Sequence, residues 1–264
     1  YVGYTAQEVA VGNQTTINVV LVANNELDEV IVTGYGGQKE KEITSAVVSV
    51  GEEEFNQGQV NDPSQLLQGK VAGLQIYNKG GNPNAGAQIR LRGLSTVGAN
   101  SSPLVVIDGV IGASLANVDP SDIANISVLK DASAAAIYGS RGSSGVILVT
   151  TKAGVAGETK ISYNVQYSSA DRLNTIDVMS ADEFRAAGGR DLGATTNWLD
   201  EVTRTAASTI HNVSMSGGNG STSYRVSANY RDVEGILLNN GFTQMNARLN
   251  FSTRTLNHKL KIEF

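Results

Sequence analysis

The C-terminal part of the chain alternates apolar and polar residues with a period of two. In residues 161–168 one side reads Ile, Tyr, Val, Tyr and the other Ser, Asn, Gln, Ser, and residues 224–231 and 245–251 repeat the pattern. This period is typical of β-strands with one apolar and one polar face. On the alternation alone, a soluble sandwich and a membrane barrel are about equally good interpretations. The strand length and a tight turn at residues 217–220 favour a barrel, whose strands need about 9 to 11 residues.

Two short helices are predicted between the first two of these strands. Ser180 and Glu183 form a capping box that opens the first helix, and Gly188 follows its predicted end. Residues 197–202 predict the second helix. Both helices therefore belong to one long connection.

Residues 46–154 alternate short strands with short helices. Asp62 followed by Pro63 predicts a helix start, and Asp131 caps a second, alanine-rich helix that Gly139 ends. Strands are predicted at residues 74–77, 88–92, 104–107, 126–129 and 146–151. We therefore expect a compact α+β unit in this part of the chain.

The N-terminal part predicts a β-rich end of a small domain, followed by a short strand and a polar run. Residues 15–23 form a β-branched stretch after a glycine turn signal, and residues 27–36 form a second one that ends in a glycine cluster. The polar run that follows resembles a linker. Both ends of the chain look like cut edges, so we expect the chain to be part of a longer protein.

The composition excludes several classes of function. The chain has 264 residues, a net charge of -5 and 6% aromatic residues, and it lacks the basic face of a nucleic-acid-binding protein. It has no cysteine, which excludes a disulfide scaffold, thiolate metal sites and a cysteine nucleophile. No apolar run reaches the roughly 18 residues of a membrane helix.

Candidate catalytic residues are scarce. His211 and His258 lie inside predicted strands and outside any ligand-spaced cluster, so we expect a structural or surface role for each. Asp119 and Asp122 could form an acid/base pair, but helix capping explains them more simply. We therefore predict no catalytic residue, no metal site and no cofactor, and we expect that the protein is not an enzyme.

Six segments resemble, in order and in spacing, the plug region of TonB-dependent outer-membrane transporters, and above all the SusC/RagA-like branch of Bacteroidetes. These segments are residues 27–36, 66–74, 89–93, 103–110, 126–141 and 145–152. Residues 1–23 are similar to the end of the carboxypeptidase-regulatory-like β domain that precedes the plug in this branch. Residues 198–202 and the alternating strands resemble the start of its barrel.

The resemblance implies an α+β plug domain inside an antiparallel transmembrane β-barrel of about 22 strands. The chain supplies about five of these strands, too few to close a barrel. The implied organisation is residues 1–26 as the end of the β domain, 27–36 as the TonB box, 37–45 as a linker, 46–154 as the plug and 158–264 as the first barrel strands. We call residues 46–154 the plug segment.

The resemblance also implies a site for the energy-coupling protein TonB. An extended, unpaired strand there could add to the sheet edge of TonB through main-chain hydrogen bonds, although an ordinary edge strand is the simpler alternative. The acidic excess of residues 1–58 would attract a basic partner weakly. The implied TonB-binding residues are Leu27, Asp28, Glu29, Val30, Ile31, Val32, Thr33 and Gly34.

Two further sets of residues are candidates for roles in the plug. We expect Arg90 and Arg92 to pair with carboxylates on the barrel lumen, with a solvated strand face as the equal alternative. Two loops rich in glycine and asparagine are candidates for contact with substrate, although turn chemistry explains them at least as well. Their candidate residues are Asn78, Lys79, Asn82, Asn84, Asn100, Ser101 and Ser102.

The function implied by the resemblance is active import of a nutrient, a glycan or an oligopeptide, across the bacterial outer membrane. TonB with its inner-membrane energising complex would displace the plug, and a SusD-like surface lipoprotein would cap the barrel. The plug and the N-terminus would face the periplasm, and the barrel would contact outer-membrane lipid. The alternative is a non-transporting surface adhesin or antigen built from an α+β domain and a β-sandwich.

Overall fold

The chain divides into two units, Tyr1–Ser45 and Ala46–Phe264. The computed structural model describes residues 30–33, 36–39, 47–56, 58–78, 80–93, 101–131, 136–190, 193–256 and 259–264. The β-rich stretch predicted at residues 15–23 and the histidine at position 258 lie outside these ranges.

In the first unit, strand β1 (Val30–Thr33) pairs antiparallel with β2 (Gly36–Lys39), with Val30 opposite Lys39 and Thr33 opposite Gly36. Two residues separate the strands, which is the length of a tight hairpin loop. The expectation of an unpaired strand is therefore wrong for Val30–Thr33, and part of the polar run predicted as a linker is itself a strand. The physical reason is that backbone N–H and C=O groups pair with the nearest strand that offers them partners.

The plug segment is an α+β unit with one mixed sheet and one hairpin. Its strands in chain order are β3 (Val47–Gly51), β4 (Leu74–Tyr77), β5 (Gln88–Leu91), β6 (Leu104–Ile107), β7 (Val110–Ile111), β8 (Ile123–Leu129) and β9 (Val146–Thr151). The mixed sheet has the order β3-β8-β9-β6-β7, and only the β6–β9 pair is parallel. β4 and β5 form the separate hairpin. The predicted strands agree closely with these bounds.

Short 3-10 helices connect these strands, at Glu52–Glu54, Pro63–Leu67, Leu115–Asn117, Pro120–Asp122 and Ala136–Gly142. The predicted cap is confirmed, since the side chain of Asp62 accepts a hydrogen bond from the backbone of Ser64 with Pro63 at the start of the helix. The helix has 3-10 geometry and ends at Leu67. The alanine-rich helix predicted after Asp131 lies partly outside the described residues.

The core of the plug segment is aliphatic and lies on its mixed sheet. Ile123, Ile126 and Val128 of β8 and Ile147 of β9 are almost fully buried. Leu67, from the capped helix, packs against the same cluster. Burial of this aliphatic surface is what stabilises a unit of such short elements.

The second part of the unit is a single antiparallel sheet in which each strand pairs with the next along the chain. Its strands are β10 (Gly157–Ala170), β11 (Ala206–Gly218), β12 (Thr222–Glu234), β13 (Gly241–Thr255) and β14 (Leu260–Glu263). We call it the meander sheet. The predicted tight turn joins β11 to β12, where Asn219 Oδ1 accepts from the backbone N–H groups of Ser221 and Thr222.

Helices α1 (Ala181–Ala186) and α2 (Trp198–Val202) lie in the long connection from β10 to β11, as predicted. The capping box of α1 is present. The carboxylate of Glu183 accepts hydrogen bonds from the backbone N–H and the hydroxyl of Ser180. Both bonds hold the pKa of Glu183 below its ordinary value, and the backbone bond has the larger effect. None of the helices in the described ranges is long and apolar enough to cross a membrane.

Strands β11 to β13 of the meander sheet are packed on their polar side and more exposed on their apolar side. Along β12 the side chains of Ser227, Asn229 and Arg231 are buried, whereas Val226 and Tyr230 are exposed. On β10, Ile161 is 74% exposed, while Ser227 on the opposite side of the sheet is 2% exposed. A soluble sandwich buries its apolar face, so the sandwich alternative is wrong for this sheet.

Candidate functional site

The polar side of the meander sheet lies against the plug segment, and this contact is the candidate functional site. The sheet has two ends, which we call the link end and the far end. At the link end, Gly157 opens β10 directly after the plug segment and lies opposite Gly218. At the far end are the connection of residues 171–205 and the turn of residues 235–240.

Strand β12 carries the first set of polar contacts to the plug segment. The side-chain amide of Asn229 donates to Asp122 Oδ2 at 2.6 Å, and Arg225 Nη2 lies 3.6 Å from Asp122 Oδ1. Ser121 Oγ also donates to Asn229 Oδ1, at 3.4 Å. One plug carboxylate therefore receives both an amide and a guanidinium from the same strand, which its two oxygens allow.

Arg231, also on β12, makes the most deeply buried ion pair of the interface. Its Nη1 lies 3.5 Å from Asp119 Oδ2, and the two side chains are 3% and 2% exposed. Its Nη2 donates to the backbone carbonyl of Val60. Asp119 uses its other oxygen to cap the helix that begins at Pro120, so the residue serves the fold of the plug segment and its attachment to the sheet.

Strand β13 makes the second set of contacts. Arg248 Nη1 lies 3.1 Å from Asp108 Oδ2, and Asp108 also accepts from the backbone and hydroxyl of Thr151 at 2.9 and 2.8 Å. Asn250 Nδ2 donates to the carbonyl of Lys152 at 2.8 Å. Nearer the far end, Gln244 donates to the carbonyl of Ala116 at 2.9 Å. The end of β9 and the β6–β7 turn are thus fixed to β13.

Strands β10 and β11 are joined to the plug segment by fewer polar contacts. In the described chain, their side-chain hydrogen bonds to the plug segment all go to Gln59, which donates to Ser208 Oγ at 3.1 Å and accepts from Ser168 Oγ at 3.0 Å. The attachment is therefore strong along β12 and β13 and weak along β10 and β11.

A backbone contact at Gly154 completes the interface at the link end. A Cβ on Gly154 would overlap the backbone carbonyl of Tyr224 on β12. No side chain fits so close to a backbone oxygen, so only glycine lets the end of the plug segment lie on the sheet.

Arg90 and Arg92 are not among the described ion pairs between plug and sheet, and their pairing with other carboxylates of the barrel lumen stays a prediction. The predicted cations Arg90 and Arg92 lie elsewhere: Arg92 forms an ion pair of 2.7 Å with Asp131 of the plug segment, and Arg90 stacks over Tyr77 at 5.9 Å. The described ion pairs between plug and sheet instead join plug aspartates to arginines of the sheet. The sequence contained one signal for this arrangement, because Arg225, Arg231 and Arg248 all lie on the polar face of the alternating strands.

The candidate substrate loops are partly described. Asn82 Oδ1 accepts from the backbone of Asn84 at 2.9 Å, and Asn78 Oδ1 accepts from Gln65 at 3.2 Å. Pro83 Cδ lies 3.0 Å from the position that a Cβ would take on Gly235, so this loop reaches the far end of the sheet. Ser101 is half-buried and Ser102 is exposed, while positions 79 and 100 lie outside the described residues.

The candidate TonB-binding residues include Val30–Thr33, which form β1. Positions 27–29 and 34 lie outside the described residues. His211 lies on the exposed side of β11, where its Nδ1 is 2.9 Å from the hydroxyl of Tyr163. The described residues contain no cluster of three or more His, Asp or Glu side chains that could hold a metal ion.

Comparisons with known proteins agree with this architecture. The family model of the TonB-dependent receptor plug domain matches residues 39–146. The chain is 40% identical over 281 residues to TonB-dependent receptor SusC of Bacteroides thetaiotaomicron, covering 99% of this chain and 28% of SusC. It is 42% identical over 247 residues to TonB-dependent receptor P3 of Formosa agariphila, covering 90% of this chain and 24% of P3.

Solved structures give the same result. The RagAB peptide importer in its open-open state matches with a TM-score of 0.77 and 31% identity, covering 86% of this chain and 30% of the other. The siderophore receptor PirA of Acinetobacter baumannii, at 18% identity and a TM-score of 0.53, shares the fold alone. The chain spans less than a third of the length of each of these relatives. It belongs to the SusC/RagA-like family of TonB-dependent receptors, of which it holds a plug domain and antiparallel strands like those that begin the barrel.

Proposed function

We propose that the whole protein imports a nutrient across the bacterial outer membrane by TonB-dependent active transport. The observation that carries this proposal is the meander sheet, whose apolar side is exposed and whose polar side holds the plug segment. Water favours the opposite arrangement, whereas a membrane barrel with an occupied lumen requires this one. We propose the domain boundaries given by the resemblance as well, with residues 1–26 ending a preceding β domain.

The exposed apolar side supports contact with lipid. On β12 it runs from Tyr224 to Tyr230, and Asp232 follows at the far end. Tyr224 lies opposite Phe251, and Tyr230 lies opposite Met245. Aromatic residues near the ends of an apolar band are typical of barrel strands at the two membrane interfaces.

The polar contact between plug and sheet supports a gate that can be displaced. It consists of hydrogen bonds and ion pairs, such as that of Arg248 with Asp108, which water can replace when the plug moves. The most deeply buried residues of the plug core, such as Ile123, Val128 and Ile147, lie on β8 and β9.

For energy coupling, we propose that TonB pairs with residues 27–34. Within this segment β1 uses one edge to pair with β2. Among the described residues, no strand pairs with the other edge of β1, so TonB could add there or replace β2. TonB, with the inner-membrane energising complex, would then pull on the chain that leads into β3.

The cargo and the remaining partner follow from the family. We propose a glycan or an oligopeptide as the cargo, and a SusD-like surface lipoprotein that caps the far end. RagAB, one of the structural matches, is described as a peptide importer. The exposed apolar side chains of Leu173, Ile176 and Trp198 in the connection at the far end offer a surface for such a partner.

Uptake by the full-length protein in cells with and without TonB tests this function. A panel of radiolabelled neutral oligosaccharides and oligopeptides would be offered to both strains, with a strain that lacks the protein as the control. We expect at least one cargo to accumulate only when TonB and the protein are both present. Accumulation that is independent of TonB would contradict the proposal. Binding without accumulation of any cargo would also contradict it and would favour a surface adhesin.

A further inference from the structure

A cavity of about 180 Å³ lies between the plug segment and strands β10 and β11. Its plug wall includes Phe55, Gly58 and Val60, and its sheet wall includes Gln166 and Asn212. The cavity is large enough to hold several water molecules. Among strands β10 to β13 of the sheet, β10 and β11 make the fewest described side-chain hydrogen bonds to the plug segment.

The lining presents hydrogen-bonding groups without free charge. Four residues with side-chain amides, Asn56, Asn164, Gln166 and Asn212, line the cavity. The charged groups of the lining are paired, since Lys152 lies 2.6 Å from Glu52 and Arg231 is bound to Asp119. A ligand that carries a net charge would find no counter-ion in the described lining.

Two polar atoms of this lining are buried without a hydrogen-bond partner among the described residues. They are Asn212 Oδ1, an acceptor, and Arg231 Nε, a donor. Arg231 lies opposite Ile210, two residues from Asn212, so the two side chains are diagonal neighbours on one face of the sheet. A hydroxyl group can donate to the first and accept from the second, and a peptide group can do the same with its N–H and C=O.

The plug wall of the cavity follows an edge strand. Among the described strands, β3 pairs with β8 alone, at one edge of the mixed sheet. Residues 52–60 come directly after β3 and are held to the meander sheet by Gln59 and by the carbonyl of Val60. The later parts of the plug segment are held to β12 and β13 through Asp108, Asp119 and Asp122.

We propose that the contact between residues 52–60 and strands β10 and β11 is the part of the plug–barrel seam that opens for cargo. The ion pairs of Asp108, Asp119 and Asp122 with β12 and β13 stay closed while it opens. The hydrogen bond from Arg231 to the carbonyl of Val60 breaks. The cargo passing there is an uncharged chain rich in hydroxyl or amide groups, which Asn212 and Arg231 bind. This inference rests on the proposed import function.

Thiol labelling in the full-length protein tests the opening without knowledge of the cargo. Asn212 and Asn246 lie at the same height in the sheet, because both are aligned with Asn229 of the strand between them. Both face the lumen, each has one buried amide atom without a partner among the described residues, and only Asn212 lines the cavity. Asn212→Cys and Asn246→Cys are therefore matched variants in a chain that has no cysteine of its own.

Cells would be treated with a small membrane-impermeant thiol reagent, with TonB active and with TonB deleted. We expect active TonB to raise the labelling rate of Asn212→Cys several-fold and to leave that of Asn246→Cys unchanged. An equal rise at both positions, a rise only at position 246, or no rise at either would overturn the proposal. The last outcome would mean that the cavity holds water only.

The cargo chemistry is tested by Asn212→Leu, with Asn246→Leu as the control. We expect the first variant to raise the KM for uptake of an uncharged cargo about tenfold, the equivalent of one lost hydrogen bond of about 1.4 kcal/mol. The control should leave the KM unchanged. Equal KM values for the two variants would refute binding of cargo at Asn212. Because both variants would still import cargo, this outcome would leave the proposed import function intact.

Discussion

The guanidinium of Arg231 lies 3.5 Å from the carboxylate of Asp119, and both side chains are almost completely buried between plug and sheet. Removing one member of a buried pair leaves an uncompensated charge, which costs about 3 to 5 kcal/mol. We therefore expect Asp119→Ala or Arg231→Met to destabilise the plug by that amount. The urea midpoint for protease cleavage of the plug in the full-length protein measures it.

The double variant Asp119→Ala with Arg231→Met is the control for this pair. We expect it to be more stable than either single variant, because no charge is left buried without a partner. Losses that simply add up in the double variant would show that the two residues act independently.

The close approach of Gly154 to Tyr224 gives a steric prediction. Gly154→Ala would press a Cβ against a backbone oxygen, so the link between plug and sheet would have to shift at a cost of about 1 to 3 kcal/mol. The fraction of protein that keeps the compact, heat-modifiable form on gels measures the effect. Gly220→Ala is the matched control, since its Cβ would have nothing within 4 Å. Equal behaviour of the two variants would contradict the close approach of Gly154 to the sheet.

The exposed side of the meander sheet gives a membrane prediction. Val226 lies between Tyr224 and Tyr230 on the apolar side, so Val226→Arg should destabilise the folded protein in lipid vesicles by about 2 to 4 kcal/mol. Ser214→Arg is the control, because Ser214 lies in the neighbouring strand on the polar side and is only partly buried. Folding of the full-length protein into vesicles across a urea series measures both. A larger loss for Ser214→Arg would reverse the assignment of the two sides.

The strands could be predicted from the sequence because their signals are local. The period of two in residues 224–231 fixes which side chains share a face, and β12 extends this run by only a few residues at each end. The cap at Asp62 and the capping box at Ser180 likewise depend on residues three or fewer positions apart. Patterns of this kind need no knowledge of the tertiary fold.

The contacts between the plug segment and the meander sheet could not be predicted in the same detail. Asp119 is the helix cap that its sequence context predicts. The second oxygen of its carboxylate binds Arg231, which lies more than a hundred positions away in sequence. Arg92 pairs with Asp131 inside the plug segment instead of reaching the sheet. Which charges meet depends on how the plug segment lies on the sheet, and local sequence carries no information on that placement.

The central claim of energised import is tested most directly by substitutions in the β1–β2 hairpin of the full-length protein. Ile31→Pro removes a backbone donor from β1, and Gln38→Pro removes one from the position opposite it on β2. Both variants disturb the hairpin, but only the first alters the segment proposed to bind TonB. The measurement is the rate of TonB-dependent cargo uptake, with surface abundance and cargo binding followed in parallel. We expect Ile31→Pro to abolish uptake with near-normal abundance and binding, and Gln38→Pro to retain most of it. Full uptake by Ile31→Pro would contradict energy coupling through this strand.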